Sequence, residues 1–294
     1  MSASAMDKQG YHASLAMRHV TRFNYSEPVT LGFSEVRMMP VDTPLQKVAS
    51  ASLKVSPDCD VRMHRDYFGN LVHHFNLMAP HEHVEVVSEA VVHTSNLISG
   101  GVAEIDPRPA EQRYAEFLHW SKGVPMLDEY AAIQHRVNLR MEFAEFKQAL
   151  YELAAYFYRQ FRYDPDVTHV HSTPKEFFAH GGGVCQDMAH AMIGVLRLAG
   201  VPARYVSGYI YDSASADDEG EHLRGAAATH AWVQVWHPEG SWCGIDPTND
   251  KLVDWQYIRT AIGRDYYDVT PVKGIFRGNV AQQLTVEVHV KRID

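Results

Sequence analysis

The sequence predicts an α+β protein in two units: an antiparallel β sandwich over residues 1–100, and a second unit over residues 101–294 in which a helix delivers its N-terminus onto an antiparallel sheet. Three observations carry that expectation. Residues 13 to 95 read as short β-rich runs, the stretch "SNLISGGVAEIDPRP" has no periodicity, and the apolar period beyond it becomes that of an amphipathic helix. A chain of 294 residues also has room for two domains of about 100 to 200 residues each.

The first unit rests on "LAMRHVTRFNY", "SASLKVSP", "NLVHHFNLM" and "VEVVSEAVVHT". Their β-branched and aromatic residues suit a pleated, half-buried surface, while "FGN" and "APHEH" turn the chain between them. About six such strands make a small sandwich. The Gly, Pro and Asp cluster that follows reads as a linker and sets the boundary near residue 100.

In the second unit, "AEQRYAEFLHWSK" and "LDEYAAIQHRV" read as short helices and "AEFKQALYELAAYFYRQFRY" as a longer one with a single apolar face. After "GGG", the run "VCQDMAHAMIGVLRLAG" is apolar on nearly every face and stops at Gly followed by "VP", which makes it a buried central helix. "ARYVSGYIYD", "THAWVQVWHP" and "GSWCGIDP" read as successive strands, and "QQLTVEVHVKRI" alternates as a last one.

Composition narrows the function. The net charge of −9, with no run of Lys and Arg, disfavours nucleic acid as a partner. No export signal and no apolar run of about 18 residues is visible, so the expected location is the cytoplasm with no membrane partner. The sequence carries no signal for an oligomeric state. Cys59, Cys185 and Cys243 are an odd set without paired spacing, which argues against a disulfide framework and leaves small core residues or reactive thiols.

Cys185 stands where the Gly-rich turn becomes the helix, so free N–H groups and the positive end of the helix dipole face its sulfur. A cysteine in an apolar helix is as a rule a packing residue. The glycines before it, Gly183 among them, shift the balance, because they leave no side chains to obstruct a substrate backbone. A cysteine nucleophile needs a base and a group that orients the base. His230 begins one strand, Asp246 ends the next, and the hairpin "HPEGSW" can set them side by side. In a chain with 18 histidines that order of residues is by itself a weak signal, and a surface His with a loop-capping Asp is the commoner reading.

The flanking blocks are more specific. "GVCQDMAHAMIGVLRLAGVPARYVSGYIY", "ATHAWVQVW", "GSWCGIDPTND" and "GRDYYDVTPVKGIFRG" resemble the transglutaminase-like superfamily of papain-type cysteine enzymes, and most nearly its bacterial transglutaminase-like cysteine peptidases. "HVTRFNYSEPVTLGFSEVRMMPVDTPLQ" and "RDYFGNLVHHFNL" resemble the β-rich region that precedes the catalytic domain in that branch. The resemblance implies a papain-like, transglutaminase-like catalytic domain acting on peptide or protein substrates without a cofactor. By it, Cys185 is the nucleophile, His230 the general base and acid, and Asp246 the residue orienting the imidazole. The acyl thioester such a site forms serves hydrolysis with water or transamidation with an amine; a silent peptide-binding module is the third alternative. Two features depart from the family pattern: Cys243 in "WCGID" and the glycine-rich "AHGGG".

Around this set, Tyr209, Tyr211 and Trp232 are expected at the substrate groove with Gly183, and Tyr266 and Tyr267 are further candidates. Asp187 reads as structural with Arg204 as a candidate partner, His190 as a core histidine, and Arg197 and Arg204 as anchors between helix and strand. The histidines at 169, 171 and 180 lack the tight paired spacing of zinc sites, so no metal is expected.

Overall fold

The computed structural model describes residues 11–95, 114–134, 143–214, 222–237 and 241–294. The predicted linker lies outside them. The first sheet is built on β1 (Ala13–Val36), β2 (Gln46–Ser56), β3 (Val61–Arg65), β4 (Leu71–Leu77) and β5 (His81–Thr94). β1 is long enough to serve two halves. Its first part pairs with β5, and its last part pairs with β4. The break falls where Pro28 removes a ladder donor and Leu31 takes a positive φ of 52°, and the β5 register jumps between Asn24 and Val29. The bent sheet folds over a core of Val36, Phe75 and Leu77 against Val84 and Val86, which makes it a half-barrel.

The second unit holds α1 (Ala131–Gln134), α2 (Phe143–Gln160), α3 (Pro174–His180) and α4 (Cys185–Leu198). Two residue pairs, β6 (Arg162–Tyr163) and β7 (Gly182–Gly183), run parallel just before α4. Its sheet has the order β11-β10-β9-β8-β12, formed by β8 (Ala203–Ile210), β9 (His230–His237), β10 (Ser241–Asp246), β11 (Lys251–Leu252) and β12 (Tyr257–Gly263). α4 packs on β8 and β9 with Met188, Met192 and Val195 fully buried, as its apolar run predicts. Arg197 fixes the far end: its guanidinium donates to the carbonyls of Phe117, Ala203 and Arg264 and to Ser121 Oγ.

Two expectations change. The described part of "AEQRYAEFLHWSK" contains one 3-10 turn, Ala115–Phe117, because the Phe117 carbonyl goes to Arg197 Nε instead of continuing a helix. The final strands also leave the second sheet: after α5 (Tyr266–Val269), β13 (Val272–Arg277) and β14 (Gln282–Arg292) return to pair with β1. The two sheets meet through Leu15, Met17, Val92, Tyr209 and Ile258. Side chains stitch the seam, since Gln46 exchanges hydrogen bonds with the Arg259 backbone and Asn70 with that of Ile262. No helix among the described residues is long and apolar enough to cross a membrane.

Candidate active site

The turn that presents Cys185 is set by its neighbours. α3 begins with a capping box between Thr173 and Glu176 and ends at Gly181 with φ 65°. Gly182 and Gly183 then lie against β6, and a Cβ on Gly183 would stand 2.5 Å from Asp187 Oδ2. The expectation that Gly183 opens a path for substrate is therefore corrected: it is buried, and the space of its missing side chain is filled by the Asp187 carboxylate. Asp187 accepts from the Val184 N–H at 2.9 Å and from the Thr168 hydroxyl at 2.7 Å. Burial pushes its carboxyl up, partly offset by those two bonds. Arg204 is not its partner; that guanidinium donates to Gln234 and lies over the Trp242 ring. Among the described residues no acceptor meets the N–H groups of Cys185 and Gln186, the donors that a helix start leaves open.

His230 and Asp246 come together as the hairpin spacing predicts. His230 Nε2 is 2.8 Å from Asp246 Oδ2, with both side chains fully buried. Asp246 Oδ2 also accepts from Asn249 Nδ2 and the Tyr257 hydroxyl, each at 2.8 Å, and Oδ1 accepts from the Thr248 N–H. Burial pushes this carboxyl up, but the His230 charge and the hydrogen bonds more than offset it and leave it below the usual carboxylate range. Burial pulls His230 down, and the Asp246 charge with the Cys185 sulfur reverses that, raising the imidazole well above its ordinary value. Nδ1 is the ring nitrogen left for the sulfur. The thiol is close enough to act on the ring, yet Nδ1 makes no hydrogen bond of normal alignment.

Further residues complete the site. Gly225 has φ 82°, and a Cβ there would be 2.8 Å from His230 Nδ1 and 3.5 Å from Tyr163 Oη. Asn249 holds that loop, accepting from the Arg224 N–H and donating to the Arg224 carbonyl. Tyr163, opposite Gly183 in the β6–β7 pair, is pushed up to about 12 by burial and by the Cys185 charge, and so keeps its proton as a donor. Sequence reasoning missed Gly225, Asn249, Tyr163 and Tyr257. The first two left a signal, a Gly shortly before the His and an Asn shortly after the Asp, whereas Tyr163 and Tyr257 left none.

Other expected site residues fall elsewhere. Tyr209 belongs to the seam between the sheets: its ring is buried and its hydroxyl meets His19 Nδ1 and the Met38 carbonyl, each at 2.9 Å. Tyr211 packs in the same seam beside Trp255. Trp232 is buried under the imidazole, stacked at 6.3 Å from His230, and forms a floor rather than a groove wall. Tyr266 and Tyr267 do line a cavity. His190 is a core histidine, its Nε2 accepting from the Tyr266 N–H and its imidazole lowered by burial to about 4. Cys243 is buried in β10. No group of three or more potential metal ligands occurs among the described residues, His169, His171 and His180 included.

The match to known proteins covers both units. Residues 15–93 match the bacterial transglutaminase-like N-terminal region, and residues 137–247 match the transglutaminase-like superfamily. An uncharacterised protein of Mycobacterium leprae is 34% identical over 94% of this chain and 97% of its own length. A protein-glutamine gamma-glutamyltransferase of Pseudomonas aeruginosa shares 38% identity over 85 residues, which are 29% of this chain and 12% of that protein. The crystal structure of a candidate cysteine protease from Cytophaga hutchinsonii superposes with a TM-score of 0.71 at 18% identity, covering 96% of this chain and 92% of that one. The chain thus belongs to the transglutaminase-like superfamily, in the form that carries the bacterial transglutaminase-like N-terminal region.

Proposed function

We propose that the protein is a cysteine-dependent amide-bond hydrolase acting on peptide or protein substrates, with Cys185 as nucleophile, His230 as acid and base, and Asp246 as the residue that orients the imidazole. The observation that carries this reading is the buried 2.8 Å pair of His230 and Asp246 beside a cysteine at a helix N-terminus. A charged imidazole buried next to a sulfur has a clear chemical use.

In this reading the Cys185 sulfur attacks the amide carbon and the carbonyl oxygen takes up negative charge. The Cys185 N–H and the Tyr163 hydroxyl donate to that oxygen. Collapse breaks the C–N bond, and His230 gives its proton to the leaving amine. The thioester that remains is attacked by water, whose proton returns to His230, and the acid is released with the thiol restored. Asp246 holds the ring through Nε2, so that Nδ1 is the nitrogen that carries the proton across.

A second reading, transfer of the acyl group to an amine, draws support from the stretch shared with the glutamyltransferase. One experiment tests both. Casein and a glutamine-containing peptide are incubated with and without a primary amine, and products are read by mass spectrometry. Hydrolysis is expected with water as acceptor; a new amide as the dominant product would favour transfer. Cleavage undiminished in Cys185→Ala would sink both.

A further inference from the structure

The half-barrel does not close. β13 and β14 each pair with β1 alone among the described strands, so each keeps one backbone edge without a partner. Residues of both strands line a cavity of about 560 Å³, Val272 to Phe276 from β13 and Gln282 and Leu284 from β14. Its base is apolar, with the buried Phe75, Leu77 and Val84. Among its lining residues Val170, Ile275 and Leu284 are 42%, 72% and 54% exposed, large apolar side chains that folding has left uncovered.

Charge is distributed unevenly here. The protein is −9 overall, yet the residues lining this cavity include Lys122 and Lys273 and not one Asp or Glu. Lys122 Nζ sits 4.1 Å from the Tyr267 ring centroid, held in place at the rim. Glu35 lies opposite Lys273 in the β1–β13 register, and its carboxylate is taken by Arg37 at 3.1 Å. Two lining residues are also hydrogen-bonded to the nucleophile helix. Val170, in its wall, accepts a hydrogen bond from Gln186, the residue after Cys185, and Tyr266, in the same wall, donates its N–H to His190 in the second turn of that helix.

We propose that this opening is a recognition site for the peptide substrate, taking a bulky apolar side chain together with a carboxylate from an extended segment that lies along the free edge of β13. The inference rests on the reading of Cys185 as a peptide-cleaving nucleophile and adds the substrate class. An unpaired strand edge supplies backbone hydrogen bonds to an extended chain, and a pocket beside it selects side chains. The volume falls within the range of about 300–1,000 Å³ usual for ligand sites and is large enough for more than one side chain. The lysines select an acidic segment over a basic one, which the rest of this acidic surface would otherwise attract.

The test uses the full chain carrying Cys185→Ala, so that bound peptide is not consumed. A dye-labelled peptide Ala-Phe-Ala-Glu-Ala is titrated by fluorescence anisotropy beside two controls, one with Glu replaced by Lys and one with Phe replaced by Ala. The Phe and Glu peptide is expected to bind at least about tenfold more tightly than either control. Ile275→Asp and Lys273→Glu, both at exposed positions, are expected to weaken it at least about fivefold with unchanged circular dichroism and Tm. Equal affinity for all three peptides, no binding up to millimolar concentration, or variants that bind like their parent would overturn the proposal. So would a concentration-dependent dimer abolished by Ile275→Asp, which would give the face to a second copy of the chain. Failure of the catalytic reading shows separately, as cleavage retained in Cys185→Ala.

Discussion

Asp246→Asn probes the site at its most connected atom. In the parent, four donors converge on one carboxylate: His230 Nε2, Asn249 Nδ2, the Tyr257 hydroxyl and the Thr248 N–H, each at 2.8 Å. An amide of the same shape has only one acceptor oxygen. Turned one way its NH₂ faces the Thr248 N–H; turned the other way it faces His230, Asn249 and Tyr257. Either orientation leaves a buried donor unsatisfied, which costs about 1–3 kcal/mol. The imidazolium meanwhile loses its counter-charge, and breaking a buried ion pair costs about 3–5 kcal/mol. These costs overlap, because the imidazole can shed its proton. A net loss of about 4 kcal/mol is expected, a fall in Tm of about 6–7 °C in a protein of 294 residues. With the carboxylate gone, burial dominates and His230 becomes neutral near pH 7. Iodoacetamide should then modify Cys185 at least about tenfold more slowly at pH 7, since the neighbouring cation that favours the reacting sulfur is missing. Differential scanning calorimetry and peptide mapping of the alkylated protein read the two effects, with Cys59 as internal control. An Asp246→Asn protein with parental Tm and parental alkylation at Cys185 would refute the argument.

The remaining predictions test other parts of the site and core. Gly225→Ala must hold φ 82° at a cost of about 1–2 kcal/mol and push the imidazole from a 2.8 Å contact, so peptide cleavage should fall about a hundredfold while Tm drops only a few degrees. Tyr163→Phe should lower kcat about a hundredfold with KM and Tm nearly unchanged, as loss of one oxyanion donor does; a change confined to KM would remove it from that role. His190 and His19 are both lowered by burial to about 4, so the stability each contributes is present above about pH 6.5 and is lost as pH falls toward the folded value. Urea midpoints should therefore decline from pH 6.5 to pH 4, and His190→Gln should flatten that decline; an unchanged slope would count against it.

What the sequence revealed depended on how far each signal reached. Strands β2, β4 and β5 and helix α4 are legible because alternation or an unbroken apolar run marks a buried face locally. The placement of Cys185 at a helix start and of His230 beside Asp246 is legible because a helix start and a short hairpin are local features, and the longer blocks around them match a family. The partner of β14 is not legible: "QQLTVEVHVKRI" alternates as a strand must, but alternation does not say which sheet receives it. Tyr209 misled for a related reason. A tyrosine near the end of a strand reads as a groove residue until a second sheet covers it and His19 takes its hydroxyl. Tyr163 and Tyr257 reach the site from distant segments, so no spacing in the sequence ties them to Cys185.

The return of β14 to β1 also sets an order of events in synthesis. Residues 15 to 25 of the first strand are flanked by residues 282 to 292, which leave the ribosome only after the second unit, and the Ser14 N–H closes on the carboxylate of Asp294. The β-rich beginning therefore waits, with one edge open, while α4 and its sheet emerge and pack. Until the last strand docks, the seam holding Tyr209 lacks Val288, and the open edge of β1 is available to any other extended chain. A fragment ending near residue 100 should accordingly be soluble only poorly, because that edge of β1 stays unpaired.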